Sequence, residues 1–298
     1  MLKGIGANND AFVANLNRIE NQITLTTQQV SSGVSVNQAS DDPSAVEPIL
    51  SAQAEISRVT QVRTNLNTAR AVAGTADSAL QTANSVIDQL DTIAAQGASS
   101  TASADSRTEL AQQVQQLEQQ LVSIADTSVQ GNYIFGGDNP ATAPYTFDGT
   151  NPPVAGVANP TNTGVIRDAN GNSIVPIPTA QQIFDSSSGS VFQAVDSLRA
   201  ALQSNDQPGV ATSAAALNTA ATQLNLGAES VGAAEDWINN ASTNAAQRLT
   251  TLQTQLSGLR DTDITAAASQ LTLDQTAYEA AISAQASLPT KTLFSYLG

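Results

Sequence analysis

Cysteine and histidine are both absent from this 298-residue chain. Their absence excludes disulfides, metal sites built on thiolate or imidazole, and hydrolytic triads that need a histidine base. Lysine occurs only at Lys3 and Lys291, so the abundant serines have almost no lysine base either. Aromatic residues make up 4% of the chain against 41% hydrophobic residues in all. A core so poor in rings suits slim helical bundles, whose seams take Leu and Ala, better than the thick core of an enzyme. Basic residues number 11 against 26 acidic ones, a formal charge of −15. That balance gives no footprint for nucleic acid or an anionic membrane surface, and it keeps an adhesive helical protein soluble. No run approaches the roughly 18 apolar residues of a membrane span. Met1–Leu16 lacks the apolar core, about 7–15 residues long, of a cleaved secretory signal.

What is present is heptad patterning. From Val210 the chain steps by four and three through Ala214, Leu217, Ala221, Leu224, Ala228, Val231, Glu235, Ile238, Ser242, Ala245, Leu249, Leu252, Leu256 and Leu259, and only Glu235 and Ser242 interrupt the apolar run. A period of 3.5 keeps one narrow helix face turned toward a partner helix. Fixing some fifty backbones demands partners along the whole length. A second long seam runs Leu66, Ala69, Ala73, Ala76, Leu80, Ala83, Ile87, Leu90, Ala94, and a third runs Leu110, Val114, Leu117, Leu121, Ile124. The short loop at 97–105 makes these two an antiparallel hairpin. Asp42 before Pro43 reads as an N-cap with proline at the first helical position, and Pro48 is expected to kink or restart the helix. Ser106-Arg107-Thr108-Glu109 reads as a capping box with Ser106 at the N-cap. Near the start, Phe12, Leu16, Ile19, Ile23, Thr26 and Val30 form a seam that stops at Gly33. Near the end, Ile264, Ala268, Leu271, Tyr278 and Ile282 mark a last helix, which Pro289 closes. Ser190 opens a further helix with Val191, Val195, Leu198 and Leu202 on one face. Trp237, beside the seam residue Ile238, reads as packing.

Between Pro140 and Pro178 fall seven of the eleven prolines. Short β-branched runs lie among them, and Asn170-Gly171 between Val165-Ile166 and Ile174-Val175 is a hairpin signal. Residues 131–189 therefore read as a small β-rich insert. Candidate chemistry is thin. Asp41-Asp42 is better explained as a cap than as a paired-carboxylate site. Asp261 and Asp263 supply too few ligands for a hard cation and read as a helix break. Asp168-Ala169-Asn170-Gly171-Asn172 lacks the spacing and the bidentate Glu of a calcium loop. Gly136-Gly137-Asp138 lacks the Lys-Ser/Thr of a phosphate loop. No catalytic residue, cofactor or metal is expected, and an enzyme carried in the insert is disfavoured by its few ionisable groups.

Both ends carry a resemblance. Gln29-Val30-Ser31-Ser32-Gly33 with Ala39-Ser40-Asp41-Asp42-Pro43, and Asp261-Thr262-Asp263-Ile264 with Gln270-Leu271-Thr272-Leu273, Gln275-Thr276-Ala277 and Leu293-Phe294-Ser295-Tyr296-Leu297, resemble the flagellin superfamily over roughly 1–137 and 190–298. Asp41-Asp42-Pro43, Asn132-Tyr133-Ile134-Phe135-Gly136-Gly137 and the Leu-Phe-Ser-Tyr-Leu ending are more similar to its hook–filament junction branch than to filament flagellins, although Glu47-Pro48 departs from the junction pattern. The resemblance implies a homo-oligomer in a helical axial assembly of the extracellular flagellum. It implies neighbouring hook-associated protein and flagellin as partners, an export chaperone, and export without a cleaved signal peptide. The alternative it leaves open is a filament flagellin polymerising into the propeller.

The expected fold is mainly α: an elongated rod of long helices in a coiled-coil-like bundle formed by both chain ends, with the β-rich insert in the middle. Residues 1–40 plus 262–298 would be a terminal assembly domain, 41–130 plus 190–261 a helical rod domain, and 131–189 the insert. The two end helices pair most simply with each other, and composition leaves two readings open: so short a pair gains most of its order from neighbouring copies, or the ends pack on the bundle of their own chain. The expected subunit interface is Phe12, Leu16, Ile19, Ile23 and Val30 with Ile264, Leu271, Tyr278, Ile282, Leu293, Phe294, Tyr296 and Leu297.

Overall fold

The structure is a computed structural model, and it describes residues 2–149, 152–156, 160–161, 166–174, 177–186 and 189–287. Long helices dominate it: α1 (Leu2–Ser32), α2 (Pro43–Gly97), α3 (Ala104–Ala125), α5 (Val191–Gln203), α6 (Gln207–Arg260) and α7 (Ile264–Ala286), with a short α4 (Ala180–Phe184) before α5. The described middle holds four two-residue antiparallel ladders: β1 (Ser128–Val129) with β2 (Asn132–Tyr133), β3 (Tyr145–Thr146) with β4 (Val154–Ala155), β5 (Ile166–Arg167) with β6 (Ser173–Ile174), and β7 (Asp185–Ser186) with β8 (Gly189–Ser190). The fold is thus mainly α with a small β-containing middle, built from separate hairpins instead of one sheet. The chain divides into two compact units, one of residues 1–57 with 249–298 and one of residues 58–248.

The larger unit owes its core to the seams. Leu66, Ala73, Ala76, Leu80, Ala83, Ile87, Leu90 and Ala94 of α2 are fully buried, as are Val114 and Leu121 of α3, Val191, Val195, Leu198 and Leu202 of α5, and Val210, Leu217, Leu224 and Val231 of α6. On α6 a second buried stripe runs beside the seam at Ser213, Ala220, Gly227, Ala234 and Ala241. Each member is small and each lies seven residues from the next, so a neighbouring element can approach closely. Ile183 of α4 uses that space: a Cβ at Gly227 would lie 3.1 Å from its Cγ2. Gln223 Nε2 donates to Ile183 O at 2.7 Å, which fastens α4 to the same face. Tyr145 anchors the middle region, its ring packed edge-on against Phe184 and Phe192 and its hydroxyl donating to Asp185 Oδ2 at 2.6 Å.

At the α2–α3 turn, Arg107 is buried and satisfies carbonyls that the end of α2 leaves without helical partners. Its Nε donates to Gly97 O at 2.8 Å, its Nη2 to Ser99 O at 2.9 Å and its Nη1 to Asn205 Oδ1 at 2.5 Å, so one guanidinium ties the α2–α3 turn to the α5–α6 turn. Arginine at the second position of the capping-box pattern is therefore structural, and the cap itself lies earlier than Ser106. Ser103 caps α3, accepting from the Ser106 N–H at 3.1 Å. Both serines are competent caps, but starting at Ala104 adds a turn, places Asp105 at the positive end of the helix and lets Arg107 reach the α2 terminus.

Two other expectations are corrected. Helix α2 begins at Pro43 and continues through Pro48. Proline there costs one hydrogen bond early in the helix, and burial of Ala45, Ile49 and Ala52 on either side keeps the seam in phase. Trp237 does not pack inward. One residue from Ile238 is a rotation of about 100°, and Trp237 is 58% exposed. The Asn170-Gly171 hairpin forms within the described residues: β5 and β6 pair, Asp168 Oδ1 accepts from the Asn170 and Asn172 N–H groups at 2.8 Å each, and Gly171 takes a φ of +88°. Val165 and Val175, which flank it, lie outside the described residues.

Glu118 of α3 is an oddity in this core. Its side chain is fully buried and its nearest cation, Arg199 Nε of α5, is 3.7 Å away, while Arg199 also bonds Asp196. Burial, only partly opposed by Arg199 and reinforced by Asp196, pushes the carboxyl up to about 7. A carboxylate with a raised folded-state pKa contributes stability that is complete below the unfolded value of 4.5 and is lost as pH rises through about 7. Glu118→Gln should therefore flatten the pH dependence between pH 4.5 and 7 and stabilise the larger unit above it by up to about 3 kcal/mol. Urea titrations at pH 5 and pH 8 check this. Equal pH dependence in the two proteins would contradict it.

Candidate functional site

The smaller unit is built differently. Helix α1 ends at Gly33, whose φ of +70° reverses the chain and whose N–H donates to Gln29 O at 2.9 Å. The chain then meets the end of α6. Val34 bridges Asp261, Ser35 N donates to Arg260 O at 2.7 Å, and Thr262 N donates to Gly33 O at 3.0 Å. Asp42 caps α2, its Oδ1 accepting from Ser44 N at 2.9 Å and Ala45 N at 3.2 Å, and these bonds, led by the Ser44 hydroxyl, hold its carboxyl below the usual range. Asp263 caps α7, accepting from Thr265 N at 2.9 Å and Ala266 N at 3.1 Å. These turns set α1 and α7 against each other as a pair.

The pairing surface is a single stripe from each helix. On α1 it is Phe12, Leu16, Ile19, Ile23, Thr26 and Val30, and on α7 it is Ala267, Leu271, Asp274, Tyr278, Ala281 and Gln285. Only Thr26 and Ala267 are fully shielded, which marks the places where small residues let the helices come closest. The other stripe residues are half-buried. Thr26, Asp274, Tyr278 and Gln285 put polar groups in the stripe. The Tyr278 hydroxyl donates to Glu20 Oε1 at 2.8 Å, which raises the phenol above its ordinary value, and Asp274 Oδ1 accepts from Gln270 Nε2 at 2.8 Å. Polar seam positions of this kind fix register at a cost in stability.

Of the interface residues expected from the sequence, Phe12, Leu16, Ile19, Ile23, Val30, Leu271 and Tyr278 thus lie on the faces that α1 and α7 turn to each other within one chain. Ile264 and Ile282 lie on the outside of the pair, 55% and 45% exposed. Leu273, 64% exposed, lies half a turn round α7 from both, and Val13 and Leu25 of α1 are exposed as well. Leu293, Phe294, Tyr296 and Leu297 lie outside the described residues. Sequence reading missed Ala267, Asp274, Ala281 and Gln285 on the inner face and Leu273 on the outer. Apolar residues surround α7 on all sides, so no single period stands out. The step of seven from Leu271 to Tyr278 was the available signal, and filling it with alternating steps of four and three, back to Ala267 and on to Gln285, gives the inner face. Among the described residues, no group of three metal-ligating side chains occurs and no helix is long and apolar enough to cross a membrane.

A thin helix pair with large apolar residues exposed on more than one side fits a part that other chains cover. Comparison with known proteins agrees. Residues 7–140 match the bacterial flagellin N-terminal helical region, and residues 214–297 match the bacterial flagellin C-terminal helical region. The chain belongs to the bacterial flagellin family. This flagellin-family chain is a structural component of the bacterial flagellum. Its fold is similar to that of a candidate flagellar hook-associated protein of Vibrio parahaemolyticus, at 18% identity and a TM-score of 0.66, covering 74% of this chain and 100% of that one. It is also similar to FlgL of Xanthomonas campestris, at 18% identity and a TM-score of 0.59, covering 70% of this chain and 99% of that one. No curated protein matches the sequence.

Because the pair has so thin a core, its closest approach should be sensitive to bulk. Ala267→Leu overpacks the point where α7 meets α1 and should cost about 1–3 kcal/mol. Melting followed by circular dichroism should show an earlier first transition. An unchanged melt would mean that Ala267 is not at the pairing surface in solution.

Proposed function

We propose that this chain couples the flagellar hook to the filament, as a structural piece without catalytic activity. It assembles with its own copies through α1 and α7. The observation that carries the assembly reading is that the thin terminal pair leaves Val13, Leu25, Ile264, Leu273 and Ile282 exposed on several sides. Left in water, such exposure is a liability, and covering it with copies of the same pair removes it. The junction reading is supported by the similarity in fold along the whole of a candidate hook-associated chain, and by the junction-like Asn132–Gly137 and Leu293–Leu297 segments.

In this reading residues 1–40 plus 262–298 form the assembly part, 41–130 plus 190–261 the helical rod, and 131–189 the insert. Leu293, Phe294, Tyr296 and Leu297 belong to the subunit contacts of the assembly part in this reading. The neighbours in the axial structure are a second hook-associated protein on one side and flagellin on the other. The chain acts outside the cell, reaches that place without a cleaved signal, and meets a chaperone on the way. The family membership itself equally favours a second reading, a filament flagellin, since both kinds of protein share the terminal helical regions.

Two substitutions test assembly. Leu271→Asp places a charge inside the α1–α7 stripe and should abolish both the pair and incorporation into flagella. Leu273→Asp places the same charge on the outer face and should leave the pair's helix content intact while still blocking incorporation. Normal motility in the Leu273→Asp strain would refute the outer face as the contact. Deletion of the gene separates the two readings: loss of a junction leaves hooks that shed unpolymerised flagellin, whereas loss of a filament flagellin leaves the junction band in place.

A further inference from the structure

Between α1 and α2 the smaller unit encloses a cleft of ≈ 370 Å³. One wall is the 34–39 segment and the other is the first turns of α2. Val34, Val36, Val46, Ile49 and Leu50 line it, and Leu50 is 59% exposed. Hydrogen bonds hold the segment in place. Ser35 N and Oγ donate to Arg260 O at 2.7 and 2.8 Å, and Asp41 Oδ2 accepts from Asn37 N at 2.9 Å and Gln38 N at 2.8 Å. The cleft is therefore preformed, and its apolar lining costs free energy until something covers it. From Val46 to Gln53 its α2 wall is only about 10 Å long. That length suits a few large side chains better than the face of a long helix.

The chain has a segment of that kind. Leu293, Phe294, Tyr296 and Leu297, which lie outside the described residues, put four large apolar side chains into five positions. The only charged residue after Glu279 is Lys291, just ahead of them. The cleft offers the complement of both features, an apolar lining and the acid Glu47, exposed one turn before Leu50 on α2.

Reach decides which molecule supplies the segment. Every residue of α7 off the stripe turned to α1 is exposed, as is every residue of α1 from Asp10 to Gln28 off its own stripe. The pair therefore lies along neither α2 nor α6 and leads away from the cleft. Asp261, just before α7, bridges Val34 of the cleft, and the 23 residues of α7 then carry the chain about 34 Å from it. From Ala286 to Leu293 even a fully extended chain covers only about 24 Å. Leu293 stops about 10 Å short, so the segment cannot lie in the cleft of its own molecule.

We propose that the Leu293–Leu297 segment of one copy docks in this cleft of the next, its apolar side chains on Val36, Val46 and Leu50 and Lys291 beside Glu47. The proposal rests on the assembly reading above and names the place on the neighbour that takes the tail. The two surfaces differ, so the contact is heterologous: each copy gives a tail and takes one, the arrangement that builds rings and helical arrays.

Because the chain has no cysteine, introduced pairs report the contact directly. Flagella isolated from cells making Ala39→Cys with Ser295→Cys, treated with a short bismaleimide, should yield a ladder of covalent oligomers of this chain. Each single variant should stay monomeric. Gln255→Cys with Ser295→Cys puts the first thiol in a separate groove, beside Pro48 and Ser51, and should give less than a tenth of that ladder. Three results would overturn this contact and leave the assembly reading standing. They are chain present in the flagella but monomeric or joined only to another protein in the Ala39 pair, an equal ladder from the Gln255 pair, and single variants that link as well as the double one. Wild-type chain absent from isolated flagella would remove both.

Discussion

A heptad stripe is satisfied only by helices on its own side, and how many helices one chain can bring to each stripe decides the character of each part of this protein. In the larger unit, α2, α3, α5 and α6 bring enough faces together that their large seam residues, Leu117 aside, are buried. The terminal helices have only each other. One stripe against one stripe leaves the seam half-buried and the outer residues of both helices in water. The same physical requirement therefore gives a self-sufficient bundle in one unit and an unfinished one in the other, and incompleteness is what an assembling part needs. The ordering entropy of α1 and α7 is only partly offset within a single molecule, and in the proposed assembly contacts with copies would supply the rest.

The surface chemistry fits the same account. Exposed helix positions are filled mostly by Ser, Thr, Asn and Gln, and many of the hydroxyls bond the carbonyl four residues back, as Thr64, Thr75, Thr82, Thr219 and Thr272 do. Such side chains are bound to their own helix, so they hydrate the surface without projecting long charged arms. In the proposed assembly a chain lying close beside its copies would gain from this, since few lysines would need desolvating.

The seams were the legible part of the sequence. Every residue of the run from Leu66 to Ala94 is buried, and the helix ends at Gly33, Asp42 and Asn205 follow from their turn chemistry. Local signals failed where two answers were locally equal. Ser103 and Ser106 both fit a cap, and only the tertiary reach of Arg107 selects the first. Pro48 has an unfavourable local cost that burial on both sides outweighs. Trp237 was assigned to the core because it is large and next to a seam, yet a rotation of about 100° puts it in solvent. Helix α7 was the hardest to read: apolar residues occur on all its faces, so periodicity cannot say which are turned to α1 and which to a neighbour. That ambiguity is itself the sequence signature of a helix with more than one partner.

The most direct test of the account is hydrogen exchange on the same chain, first as a dilute monomer and then in isolated flagella. Amides of α1 and α7 should exchange far faster in the monomer than those of α2 and α6 within 66–94 and 210–245, and should become protected on assembly. Terminal helices already as well protected in the monomer as the bundle core would contradict it.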